Sequence, residues 1–249
     1  MVRSLSSIQK RTKTIRTTKK ITNAMKLVSI SKLQKYRSLY QSFNLIYTSV
    51  MNLPYETVTN DKMKLYICFF PDLGLVSSYT RSLTSFLSDN EPSNVLVIGT
   101  QGYDLLNQDF NVLNEKIQSE HVDLDVLFDI CDNYSSMYNI VLVVPTLVMN
   151  TKLTFNKVLT NKSIVYDYDV VYEPNYKLIV NASSNLYLKT MMIDTYYNSK
   201  IIEYTMRHMA MDKATDSANN MLDDLKLQFN RLRQERITEE IADLMAEEV

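Results

Sequence analysis

From about Asn185 to Val249 the chain contains neither glycine nor proline and carries apolar residues at helical spacing throughout. This predicts one very long helix. Met211, Ala214, Ala218, Met221 and Leu225 are spaced three, four, three, four, which lays them on one stripe of a 3.6-residue helix as a coiled-coil seam. Leu232 continues the seam, and Ile237, Ile241 and Leu244 resume it after a phase slip. Roughly sixty helical residues run for about 90 Å, far beyond the roughly dozen residues of an average globular helix. A narrow apolar seam of that length needs a partner along it.

The other end of the chain supplies one. Ser4 to Leu53 reads as a second long helix, with Ser4 or Ser6 as N-cap and Pro54 as the stop. Its second half carries a seam of Tyr36, Leu39, Phe43, Ile46, Val50 and Leu53. Between Ile8 and Thr22 the seam thins to Ile8 and Ile15 among threonines and bases, the pattern of a helix sheathed by another protein or by water. Met25, Leu27, Val28 and Ile30 then cover more than one face. All three glycines and five prolines fall between Pro54 and Pro174, so turns concentrate in the middle. The expected organisation is a helix over 1–55, a small domain over 56–182 and a helix over 183–249.

The middle reads as alternating strands and helices. Strands are expected at Lys64–Phe70, Asn94–Gly99, Phe110–Leu113 and Asn139–Val144, with an antiparallel pair from Ile164–Tyr172 and Tyr176–Val180. Helices are expected at Val76–Leu87, Tyr103–Leu106 and Ser119–Tyr134. The fold class is therefore α+β overall: a long antiparallel coiled coil of the terminal helices with an inserted small α/β, Rossmann-like domain on a parallel or mixed sheet.

Charge is unevenly distributed. The first 55 residues hold eleven Lys and Arg and no acid, whereas the remaining 194 hold sixteen bases and twenty-eight acids. Such a basic helix suits nucleic acid, an anionic membrane or an acidic protein partner. No apolar run approaches the ~18 residues that span a bilayer, and the first thirty residues lack a signal peptide's apolar core. Cys68 and Cys131 form no metal-binding pair, and His121 and His208 stand without a second ligand nearby. Gly99-Thr100-Gln101-Gly102 lacks the third glycine and the Lys-Ser/Thr ending of phosphate-binding turns. The acid pairs Asp223-Asp224, Glu239-Glu240 and Glu247-Glu248 diverge by about 100° on a helix instead of converging on a substrate. No catalytic constellation appears.

Thr17 to Leu33 reads TTKKITNAMKLVSISKL, which resembles the N-terminal signature of the gamma subunit of F-type ATP synthases. Ile201 to Met245 is similar to that family's C-terminal signature, through Arg207-His208-Met209-Ala210-Met211, Ala214-Thr215-Asp216 and Arg233-Gln234-x-x-Ile237-Thr238-x-Glu240. Between them, Asp72-x-Gly74-Leu75, Ile98-Gly99-x-x-Gly102 and Tyr172-Glu173-Pro174-Asn175 resemble the family's turns in the same order. The family's usual Asp-Arg-Gly-Leu-Cys-Gly-Gly turn is here Asp72-Leu73-Gly74-Leu75-Val76-Ser77-Ser78, and its Tyr-Asn-Lys-Phe stretch has no counterpart near Val143 to Thr151.

The resemblance implies a central-stalk rotor with no catalytic residue and no cofactor of its own, turning inside a hexamer of alpha and beta subunits. It implies hexamer contacts at Met25, Arg233, Gln234, Ile237, Thr238, Ile241 and Leu244. The turn at Asp72, Gly74 and Leu75 falls in a foot that meets an epsilon-like subunit and a membrane ring, or a replacement partner where the turn has diverged. It implies a cytoplasmic place, peripheral at the inner face of the membrane, and no nucleic acid. The altered foot also suits the shaft of a specialised F-type-like motor. A basic coiled coil that binds nucleic acid, and an unrecognised enzyme in the α/β domain, are the competing expectations.

Overall fold

A computed structural model describes residues 5–53, 62–120, 122–148, 152–159, 173 and 175–247. In order these form α1 (Leu5–Met51), β1 (Lys64–Phe69), α2 (Ser77–Asn90), β2 (Asn94–Ile98), α3 (Thr100–Leu106), α4 (Leu124–Ser135), β3 (Asn139–Val148), β4 (Lys152–Leu159) and α5 (Tyr176–Glu247). The chain divides into two compact units, one of Met1–Ile30 with Arg207–Val249 and the other Ser31–Met206. The divisions fall within the two long helices, whereas the sequence boundaries at 55 and 183 follow expected helix ends.

The first unit is an antiparallel helix pair. The hydroxyls of Thr22 and Thr215 share a hydrogen bond at 2.9 Å, and four residues further along α1 Lys26 pairs with Asp212, three residues back on α5. On α5 the seam runs Met211, Thr215, Ala218, Leu222, Leu225, Phe229 and Leu232, all buried or half-buried. Met211, Ala218, Leu225 and Leu232 are expected members and Ala214 is half-buried beside them, but Met221 is 51% exposed because Leu222 takes the alternate position. The facing stripe of α1 is Ile8, Thr12, Ile15, Lys19, Thr22, Lys26 and Ser29, polar for most of its length as the sequence suggested.

The second unit holds a four-stranded mixed sheet in the order β2-β1-β3-β4, parallel except for β4. Alternation along β1 sorts its side chains: Leu65, Ile67 and Phe69 join the core with Leu127, Tyr187, Met192 and Tyr196, while Tyr66, Cys68 and Phe70 join that of Tyr79, Leu83 and Leu106. Between the lower halves of α1 and α5 the seam is aromatic. Tyr36 stacks on Tyr204 at 5.7 Å and meets Tyr196 edge-on, and Tyr197 receives Tyr40 and Phe43. Leu39 and Ile46, expected in this seam, are exposed because the stripe passes through Tyr40 and Tyr47, and Leu53 is exposed past the end of α1 at Met51.

Several expected elements differ. Tyr176–Val180 is the first turn of α5, not a strand, because Asn175 caps it: its Oδ1 accepts the Leu178 N–H at 3.0 Å. The proposed partner Ile164–Tyr172 lies outside the described residues, as do Pro54, His121, Pro174 and Glu248. Phe110–Leu113 contributes only an isolated parallel bridge of Val112 to Val95. The helix expected from Ser119 begins at Leu124, and Ser119 and Glu120 lie in the loop before it with their N–H groups bonded to the Asp72 carboxylate. β3 continues through Pro145 to Val148, since its pairing with β1 ends at Leu142 and Pro145 has only β4 beside it. β4 itself was not foreseen.

Candidate functional site

The tip of α5 holds most of the residues singled out. Arg233, Gln234, Ile237, Thr238, Ile241 and Leu244 are all exposed, as is Met245. Their exposure follows from register. Seventeen residues from the Thr22–Thr215 bridge, Leu5 falls opposite Leu232, so the α5 residues beyond have no α1 partner among the described residues. At spacings of four, four and three, Arg233, Ile237, Ile241 and Leu244 share one face. Gln234 and Thr238 adjoin it, the Thr238 hydroxyl donating to the Gln234 carbonyl at 2.9 Å. The result is an apolar strip bordered by Arg233 and by the exposed pairs Arg231–Glu235 and Arg236–Glu240. Exposed pairs of this kind add little stability, so their sequence is free to serve recognition.

Met25 stands apart from the tip. It is half-buried on α1 next to Lys26, whose hydrogen bond and charge hold the Asp212 carboxyl below its ordinary range. Between these places runs an open groove of roughly 1000 Å³. Lys13, Arg16, Lys19 and Lys20 of α1 line it, with Leu222 and Phe229 of α5 among its apolar residues. Its cations have few acids to answer them; Asp223 is the acid on its wall.

In the second unit the turn after β1 closes on itself at one residue. Asp72 Oδ1 accepts the N–H groups of Thr100 and Ser119, both at 3.0 Å, and Oδ2 accepts that of Glu120 at 2.6 Å. Burial opposes the charge on Asp72, but these three donors and the nearby Lys200 outweigh it and keep the carboxyl below its usual range. Leu75 adopts a left-handed φ of 70° and is 57% exposed, and Leu73 is exposed beside it. Gly74 sits between them. The Gly99-x-x-Gly102 pattern serves packing rather than phosphate. A Cβ on Gly99 would lie 2.1 Å from the Phe70 carbonyl oxygen, and one on Gly102 would lie 2.2 Å from the Phe70 ring.

Open α/β sheets bind ligands outside the carboxyl ends of their strands. That place is filled here by the chain's own side chains. Lys200, 1% exposed, donates to Ser119 Oγ at 2.7 Å and to Glu203 Oε2 at 3.0 Å, and Tyr196 donates to the Ser119 carbonyl at 3.2 Å. Glu120 accepts Tyr204 at 2.7 Å and pairs with Lys32. Burial again raises its pKa, and these two partners more than reverse the effect. This cluster was missed from sequence, because a lysine and a glutamate three apart on a helix carry no sign of burial. Among the described residues no group of His, Cys, Asp and Glu could hold a metal ion, and no helix is long and apolar enough to cross a membrane.

Comparison with known proteins covers nearly the whole chain. A family described as ATP synthase matches residues 4–246. The ATP synthase gamma chain of Clostridium pasteurianum is 30% identical over 99% of this chain and 98% of its own length. That of Malacoplasma penetrans is 29% identical over 98% of each. Among solved structures, the rotor of the Euglena gracilis mitochondrial ATP synthase superposes with a TM-score of 0.69 at 12% identity, covering 94% of this chain and 98% of that one. The Tetrahymena thermophila mitochondrial central stalk and c-ring structure gives 0.56 at 20% identity, over 78% and 99%. The two solved structures share this chain's fold.

Proposed function

This chain belongs to the ATP synthase gamma-chain family, that of the central-stalk rotor subunits of F-type ATPases, and from that premise we propose that it couples its own rotation to catalysis in a surrounding alpha/beta hexamer without performing chemistry itself. The observation that carries this reading is the exposed apolar face of α5 at Ile237, Ile241 and Leu244, which has no partner among the described residues. A strip of that kind at the end of a helix marks a surface that another protein covers. Arg233, Gln234 and Thr238 beside it engage a loop of a catalytic subunit, and Met25 lies at a lower bearing. The cationic groove of α1 receives acidic hexamer loops as the shaft turns. Each orientation presents a different face to each catalytic site, so the differential contacts carry the coupling free energy.

The segments 1–55 and 183–249 act as the shaft and 56–182 as the foot. Asp72, Gly74 and Leu75 form a foot surface for an epsilon-like subunit and a membrane ring, or for a different partner where Leu73 replaces the family's arginine. The chain then works in the cytoplasm against the inner membrane face. Tagging it in its native cell and purifying under mild conditions tests this. Recovery with a hexamer of nucleotide-binding subunits is the expected result, and a monodisperse free monomer would overturn it. The proteins recovered on the foot separate a proton-coupled synthase from a specialised motor.

A further inference from the structure

Four side chains of the two long helices converge on two consecutive loop residues of the second unit. Lys200 and Tyr196 bond to Ser119, and Tyr204 and Lys32 bond to Glu120. On its other side the same dipeptide is fastened to the end of β1. Both of its N–H groups bond to Asp72, and the Ser119 hydroxyl donates to the Phe70 carbonyl at 2.8 Å. Directional bonds therefore run without a break from the sheet to α1 and to α5.

Apolar packing of Tyr187, Met191 and Met192 also holds α5 against the sheet core. That attraction scales with buried area and has no preferred direction. A hydrogen bond weakens steeply when its angle is bent. Twist about a helix axis is therefore resisted most directly by the bonds at the dipeptide. The charges there are balanced locally: Lys200 faces Glu203 and Asp72, and Lys32 faces Glu120.

We infer that the Ser119–Glu120 turn is the element through which rotation passes between the sheet domain and both long helices, with Lys32, Lys200, Tyr196 and Tyr204 as its positioning residues. This rests on the rotor reading above. The test uses the chain in complex with its ATPase subunits, the hexamer fixed to a surface and a bead carried on Asp109→Cys, an exposed position. Cys68 and Cys131 are buried and do not compete for the label. Angular variance of the bead during pauses reports torsional stiffness. Glu120→Ala removes two of the four helix ties, so equal sharing of load predicts an increase of about two-fold in variance. Lys32→Met removes one tie at a half-exposed position and predicts an increase of about one-third even if Glu120→Ala fails to fold. Lys116→Met, which breaks an exposed pair with Asp104 of α3 and ties neither long helix, is the control and leaves variance at the wild-type value. Rotation with wild-type variance in Lys32→Met and in folded Glu120→Ala overturns the inference alone. A wild-type bead that never turns overturns the rotor reading and the inference with it.

Discussion

At the residue scale, the second unit depends on a few side chains with no substitute. Gly99→Ala forces a Cβ against the Phe70 carbonyl at a φ of 128°. Urea denaturation should register a loss of about 2–4 kcal/mol. Lys200→Met takes a buried ammonium away from the Glu203 carboxylate and from Ser119 Oγ, and a cost of about 3 kcal/mol is expected. The double variant Lys200→Met/Glu203→Gln should recover part of that loss, and a double-mutant cycle reads the coupling. Asp72 gives an acid-side signature. Its carboxyl is more acidic folded than unfolded, so its charge supports the fold above the ordinary value of 3.8 and that support is lost as pH falls through the lower folded value. Thermal melts of Asp72→Asn should therefore show a flatter decline across the acid range than wild type. Asp72 and Gly99 stood out beforehand only as members of turns that resemble the family's, and neither their bonding and packing roles nor that of Lys200 was legible.

At the element scale, the long helices could be read from the absence of glycine and proline, but their seams only in part. Tyr36, Phe43 and Val50 are buried as expected, while Leu39, Ile46 and Leu53 are not. Both Leu39 and Tyr40 complete a three-four spacing with Tyr36 and Phe43, so periodicity alone cannot choose between them. The same ambiguity separates Met221 from Leu222. Leu225→Ala should cost about 2–4 kcal/mol, whereas Met221→Ala should stay within about 0.5 kcal/mol, as monitored by helical ellipticity. The run Tyr176 to Val180, apolar but for Lys177, fits strand or helix equally well, and the Asn175 cap decides it. β4 escaped notice because Asn156 and Lys157 interrupt its apolar alternation, as polar residues often do on a strand at a sheet edge.

At the scale of the whole molecule, the two compact units answer differently to truncation. Cutting back from Val249 to about Arg231 removes side chains that are exposed from Arg233 to Met245. The melting temperature should move by less than about 3 °C, while ATP hydrolysis by the assembled complex loses its link to rotation. Measuring both on one preparation separates coupling from folding. The stripe that α1 offers in the first unit, with Thr12, Lys19, Thr22 and Lys26 where a self-sufficient pair places leucines, has a consequence for the living cell. Helices joined so sparingly open locally more often than a leucine-lined pair. On the proposed function, a copy not yet seated in its hexamer should be the one that proteases cut, and pulse-chase with the hexamer subunits depleted should then show faster loss of this chain.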